Sequence, residues 1–158
     1  MNKHLKTFFS VGMCLSFFYS FSQQNADTAK DNKEALTTLN GYLAALKEHD
    51  ISKAISYYSN TKDFFVYSDG KAMNYEEFTT GARATFLQIK EMLVRYDTVY
   101  VRNLGENAVL ITGPFHETLT DMNDRKFDFD VTISVILLKR NGQWKVTYVT
   151  QVHHLVAN

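Results

Sequence analysis

The stretch 126–154, KFDFDVTISVILLKRNGQWKVTYVTQVHH, sets two long alternating runs on either side of Asn141-Gly142. Both turn residues tolerate the positive φ of a two-residue hairpin loop, so the runs read as paired antiparallel strands. With Arg140 opposite Gln143, Leu137 falls across from Val146, Val135 from Tyr148, Ile133 from Thr150 and Val131 from Val152. That face, which also carries Phe127, Phe129 and Trp144, is expected to be buried. The other face carries Asp128, Asp130, Thr132, Ser134, Lys145, Thr147, Gln151 and His153, and is expected to meet solvent or a partner subunit. A slip of one residue would exchange the two sets, so the register decides which groups can line a site.

Upstream, 95–102 and 108–119 read as further strands, with turns at Gly105-Glu106 and Met122-Asn123-Asp124. Gly113-Pro114 interrupts the second of these. A bulge there turns His116 inward; without one, Phe115 points in and His116 out, with Glu117 facing away from His116. Before the strands, Leu36, Leu39, Leu43 and Leu46 recur at helical spacing over 31–48, and Ile51, Ala54, Ile55 and Tyr58 mark a second, shorter helix. Phe64 to Tyr67 reads as a short strand ending at the Asp69-Gly70 turn. A third helix is expected from Asn74 to about Val94, with Glu76 and Glu77 suited to its positive end. Helices followed by an antiparallel meander give an α+β domain.

The N-terminus has the layout of a secretory signal: Lys3, His4 and Lys6, an apolar run from Phe8 to Phe21, then small residues at Ser20 and Ser22. The run is short for a bilayer span, which takes about 20 apolar residues. Cleavage is expected between Ser22 and Gln23, leaving residues 23–33 as a polar tether and 34–158 as the domain. The expected location is periplasmic or secreted, with no stable membrane anchor after cleavage. Cys14 is the one cysteine and leaves with the signal, so disulfides, thiolate metal sites and cysteine nucleophiles are not expected in the mature chain. Lys and Arg (17) balance Asp and Glu (17), which gives no electrostatic footprint for nucleic acid. With 12 Phe and 9 Tyr the chain carries more aromatic surface than a simple core requires, and this points to a lined cavity or an oligomer face.

Element order and three local patterns carry a family resemblance: DFFVYSDGK at 63–71, ITGPFHETL at 111–119 and NGQWKV at 141–146. Together they resemble the nuclear transport factor 2-like superfamily, closest to its SnoaL-like and DUF4440 branch. The resemblance implies a cone, in which a strongly curved antiparallel sheet wraps the N-terminal helices and leaves a pocket between them. It also implies isomerases, cyclases, dehydratases and non-catalytic members, often dimers packed sheet on sheet. Many relatives place histidines four and six residues after the tryptophan; here those positions hold Tyr148 and Thr150.

Tyr148 and Thr150 are therefore expected in the pocket as hydrogen-bonding groups, with Tyr58, Phe65, Tyr67 and Phe86 as ligand contacts. His116 is the one candidate acid or base, near neutrality in its unperturbed pKa. His153-His154 do not make a metal site, because adjacent strand residues point to opposite faces. No metal and no cofactor are expected. Three functions stay open: an exported pocket protein binding a small, largely apolar ligand; an isomerase or lyase using His116 or a pocket tyrosine; and an interaction module that dimerises through the outer sheet face.

Overall fold

The computed structural model describes residues 27–156. Helix α1 runs over 27–47, α2 over Ile51–Ser56 and α3 over Tyr75–Phe86. The strands are β1 (Phe65–Ser68), β2 (Lys71–Met73), β3 (Ile89–Arg95), β4 (Tyr100–Gly105), β5 (Ala108–Asp121), β6 (Lys126–Arg140) and β7 (Gln143–Leu155). They form one open sheet in the order β2-β1-β7-β6-β5-β3, with β4 also paired to β5. Every pairing is antiparallel except β1 with β7. This is the expected α+β cone.

Local chemistry accounts for the elements. Asp50 caps α2 by accepting from the Lys53 N–H, and Asn74 with Glu77 closes a capping box on α3. Asn141 and Gly142 both take positive φ at the β6–β7 turn, as do Asp69 and Gly70 between β1 and β2. Three boundaries differ from the sequence reading. The chain is already helical over 27–33, where a tether was expected; Lys139 reaches back to Asp31 and Glu34, and Glu34 also accepts from the Trp144 indole, so these residues are held against the β6–β7 hairpin. The expected signal, and the tether residues before 27, lie outside the described residues. The third helix ends at Phe86, not near Val94, because 89–95 pairs with β5 as strand β3; Ile89, Met92 and Val94 stay partly or fully buried in the extended form too. Strand 95–102 is displaced to Tyr100–Gly105 for the same reason.

The main core lies between the concave sheet face and α1. Val109, Ile111, Phe115, Val131, Val135, Leu137, Val146 and Val149 pack against Ala35, Leu39, Tyr58 and Phe64. No bulge occurs at Gly113-Pro114: the pairing of β5 with β6 is continuous from Ala108 to Thr120, which keeps Phe115 in and His116 out. The break comes in β7. Leu137 pairs with Val146 as the hairpin requires, but Ile136 pairs with Tyr148, so Thr147 is an extra residue. From there on Val135 faces Val149, Ile133 faces Gln151 and Val131 faces His153. The bulge sits where the neighbour of β7 changes: Val146 bonds to the segment leaving α2 through Tyr57 and Ser59, and β1 takes over at Tyr148.

Candidate functional site

The bulge exchanges the two faces of β7 beyond Thr147. Val149, Gln151 and His153 now point into the cone, and Tyr148 and Thr150 point out. Between the sheet and the three helices lies a cavity of about 480 Å³. Most of its wall is apolar, including Leu43, Leu46, Ile55, Phe86, Met92, Val94 and Ile133. Ser68, Asp69, Glu117, Gln151 and His153 gather where the β1–β2 turn meets the end of β7, and Tyr42, Tyr58 and Thr85 also line the cavity.

Backbone pairing builds this cluster. The register of β1 against β7 places Ser68 beside Gln151, and the Asp69 N–H then donates to the Gln151 carbonyl. In return the His153 N–H donates to Asp69 Oδ1 at 2.9 Å. Asp69 adopts φ 50° at the turn, which aims its carboxylate back at β7. Its Oδ2 lies 2.8 Å from His153 Nδ1 and also accepts from the Ser68 hydroxyl at 2.9 Å. Ser68 Oγ in turn accepts from the Gln151 amide at 3.1 Å. On its far side the imidazole presents Nε2 to Glu117 Oε2 at 3.5 Å. Glu117 comes from β5, two residues beyond Phe115 on the same inward face. Phe129 meets the histidine ring edge to face.

Two carboxylates flanking one imidazole favour its charged form. The His153 pKa is raised above its ordinary value, first by Glu117 and then by Asp69, against the opposing effect of burial. The Glu117 side chain is the less exposed of the two carboxylates, 11% against 49% for Asp69. Burial works against ionisation of Asp69, but the bonds from the His153 N–H, the imidazole and Ser68 outweigh it and hold the carboxyl below its usual range. Deeper in the cone, the rings of Tyr42 and Tyr58 meet edge to face. Burial pushes the Tyr42 hydroxyl up to about 12; the Tyr58 hydroxyl pulls the other way and Glu117 adds to the rise. Burial likewise raises Tyr58 well above its ordinary value.

The site residues expected from sequence divide between the two faces. Tyr58 and Phe86 line the cavity. Tyr148 and Thr150 are turned outward by the bulge, and Phe65 and Tyr67, their partners across the β1–β7 pairing, share that outer face; Phe65 stacks on Tyr148 there. His116 is outside as well, its Nδ1 2.8 Å from Asp130 Oδ1, because β5 carries no bulge to turn it in. It cannot serve as the pocket base. His153, assigned to the outer face by an unbroken alternation, is the histidine inside. Two signals point to the true arrangement. Val146 and Val149 stand three apart, an odd spacing that one face of a regular strand does not produce. Glu117 is a carboxylate at an inward position of a strand whose other inward residues include Val109, Ile111 and Phe115.

Residues 35–153 match a family model, the SnoaL-like domain. The chain belongs to the SnoaL-like domain family. No curated protein matches it in sequence. Among solved structures, it is similar to a nuclear transport factor 2-like superfamily protein from Salmonella enterica, with a TM-score of 0.70 at 12% identity over 82% of this chain and 94% of that one. A candidate dehydratase of the same fold family from Streptomyces avermitilis gives a TM-score of 0.71 at 12% identity, over 81% of this chain and 99% of that one. A ketosteroid isomerase-like protein from Erwinia carotovora gives 0.62 at 16% identity, over 77% and 94%. At these identities the likeness is one of fold. This SnoaL-like chain has its cavity imidazole nine residues past Trp144, beyond a bulge, while the two positions nearer the tryptophan hold Tyr148 and Thr150.

Proposed function

We propose that this SnoaL-like domain binds a small, largely apolar molecule in its cone and moves a proton on it, as an isomerase or a lyase does. The observation that carries this reading is the line Asp69–His153–Glu117 at the polar end of an otherwise apolar cavity. Asp69 holds the Nδ1 proton and so fixes the ring and its tautomer, which makes it a positioning residue. Nε2 and the Glu117 carboxylate are then the acid and base that reach the cavity. A positioned acid/base pair of this kind contributes about 10²- to 10⁴-fold. The fold's other members, which bind small ligands or act as isomerases or dehydratases, support the same class of chemistry.

Incubation with a panel of apolar hydroxyketones in deuterated water, followed by proton NMR, tests the reading without a known substrate. Exchange at carbon above the buffer rate, lost on His153→Gln, is the expected result. Binding without exchange would reduce the domain to a carrier, a reading favoured by the fact that both ring nitrogens already face protein carboxylates.

Two further parts of the proposal rest on sequence and surface. Export rests on the charged, apolar and small-residue order of residues 1–22, and N-terminal sequencing of the mature protein should begin at Gln23. No helix among the described residues is long and apolar enough to cross a membrane. A homodimer through the outer sheet face is supported by Phe65, Tyr67, Tyr100 and Val152, all exposed there. Sedimentation velocity across a hundredfold range of concentration checks it; a monomer throughout would refute it.

A further inference from the structure

We infer that the cavity selects its ligand by charge: it takes an apolar molecule whose polar end donates hydrogen bonds, an alcohol or an amine, and turns away carboxylates and phosphate esters. The inference rests on the proposed reading of the cone as a ligand site and adds the class of ligand to it.

The ionisable residues of known charge sign along the cavity wall are Asp69, Glu117 and His153; among the described residues no lysine or arginine lines it. One imidazole cannot neutralise two carboxylates, so the polar end is net negative whether the ring is neutral or charged. The two carboxylates are not equally free. Asp69 is satisfied inside the protein, accepting from the His153 N–H, the imidazole and Ser68. Glu117 is not. Among the described residues its one close polar partner is His153 Nε2, at 3.5 Å, longer than a normal N–H···O bond.

A carboxylate that opens onto the cavity, with one long contact to the protein, is free to accept a donor from the ligand. A hydroxyl or an ammonium supplies that donor. A carboxylate or phosphate supplies a second negative charge and no donor, in surroundings where the repulsion is poorly screened. The donor groups nearby do not reverse this preference. The Gln151 amide is committed to Ser68, and Tyr42 and Tyr58 are neutral hydroxyls that give an alcohol a partner but offer an anion no countercharge.

A matched set of probes tests this: 2-naphthalenemethanol, 2-naphthylmethylamine and 2-naphthoate, which share one ring system and differ in the polar end. Each is titrated into the protein at neutral pH and followed by calorimetry and by NMR shifts of cavity residues. The alcohol and the amine are expected to bind at least about tenfold more tightly than the naphthoate, and Glu117→Gln to narrow that gap. Naphthoate binding as tightly as the other two in the wild-type protein overturns the inference and leaves the ligand reading standing. Failure of all three to bind overturns both. The wild-type ranking decides the matter even if Glu117→Gln does not fold.

Discussion

His153 is the residue on which the chemistry turns, and its protonation is tied to stability through linkage. Its pKa in the folded chain is raised above the ordinary 6.5. The stabilisation it brings is complete below the unfolded-state value and is lost as pH rises through the folded-state value. Asp69 works in the opposite sense. Its folded-state pKa is lowered from 3.8, so its contribution is present above the ordinary carboxylate range and is lost as pH falls. Urea unfolding of the wild type should therefore show stability declining from just above pH 6.5 toward alkaline pH, and His153→Gln should remove that decline. An unchanged profile in the variant would mean that the ring is not held by the two carboxylates. At this scale the sequence was least legible. Glu117 and His153 were visible as residues but could not be placed together, since the one sits on β5 and the other on β7 and only their shared face brings them into contact.

The element that places them is the bulge at Thr147. The Asn141-Gly142 turn, the start of the β6–β7 pairing and the inward set Leu137, Val146 and Trp144 were all readable, because a two-residue loop and strict alternation leave little freedom. The bulge was not, because its cause lies off the strand: Val146 is bonded on its other side to Tyr57 and Ser59, residues 87 or more positions away in the chain, while Tyr148 is bonded to β1. That one extra residue inverts the facing of every β7 residue from Tyr148 onward. Deleting Thr147 should restore unbroken alternation, bringing Tyr148 and Thr150 into the cone and expelling His153; loss of ligand binding together with a large fall in stability is expected, measured by calorimetry and thermal unfolding. A deletion variant that keeps the wild-type NMR shifts of His153 would contradict the assignment. Helix α3 teaches a related lesson. Its start at Asn74, with Glu76 and Glu77 in the first turn, was legible, but its end was not, since the apolar spacing of Ile89, Leu93 and Val94 suits a helix as well as the edge strand that pairing with β5 makes of it.

For the whole molecule, the cone depends on a core that holds the sheet curved around α1. Leu137 is fully buried at the centre of that core, next to the bulge. Leu137→Ala should cost about 2 to 5 kcal/mol in urea unfolding, whereas Tyr67→Ser on the exposed outer face should cost far less. Comparable losses at the two positions would mean that the inner and outer faces are wrongly assigned. The α+β class, the cone and the family were legible at this scale because they depend on element order, which survives local errors of register. The site was not, because it depends on parity along one strand. Residue, element and whole molecule meet at His153, which lies inside the cone between Asp69 and Glu117. The direct measurement is an NMR titration of the His153 ring in the wild type and in Asp69→Asn and Glu117→Gln. The expected result is a wild-type pKa above 6.5 that falls in each variant. A ring titrating at the ordinary value and indifferent to both substitutions would place His153 on the outer face and refute the account.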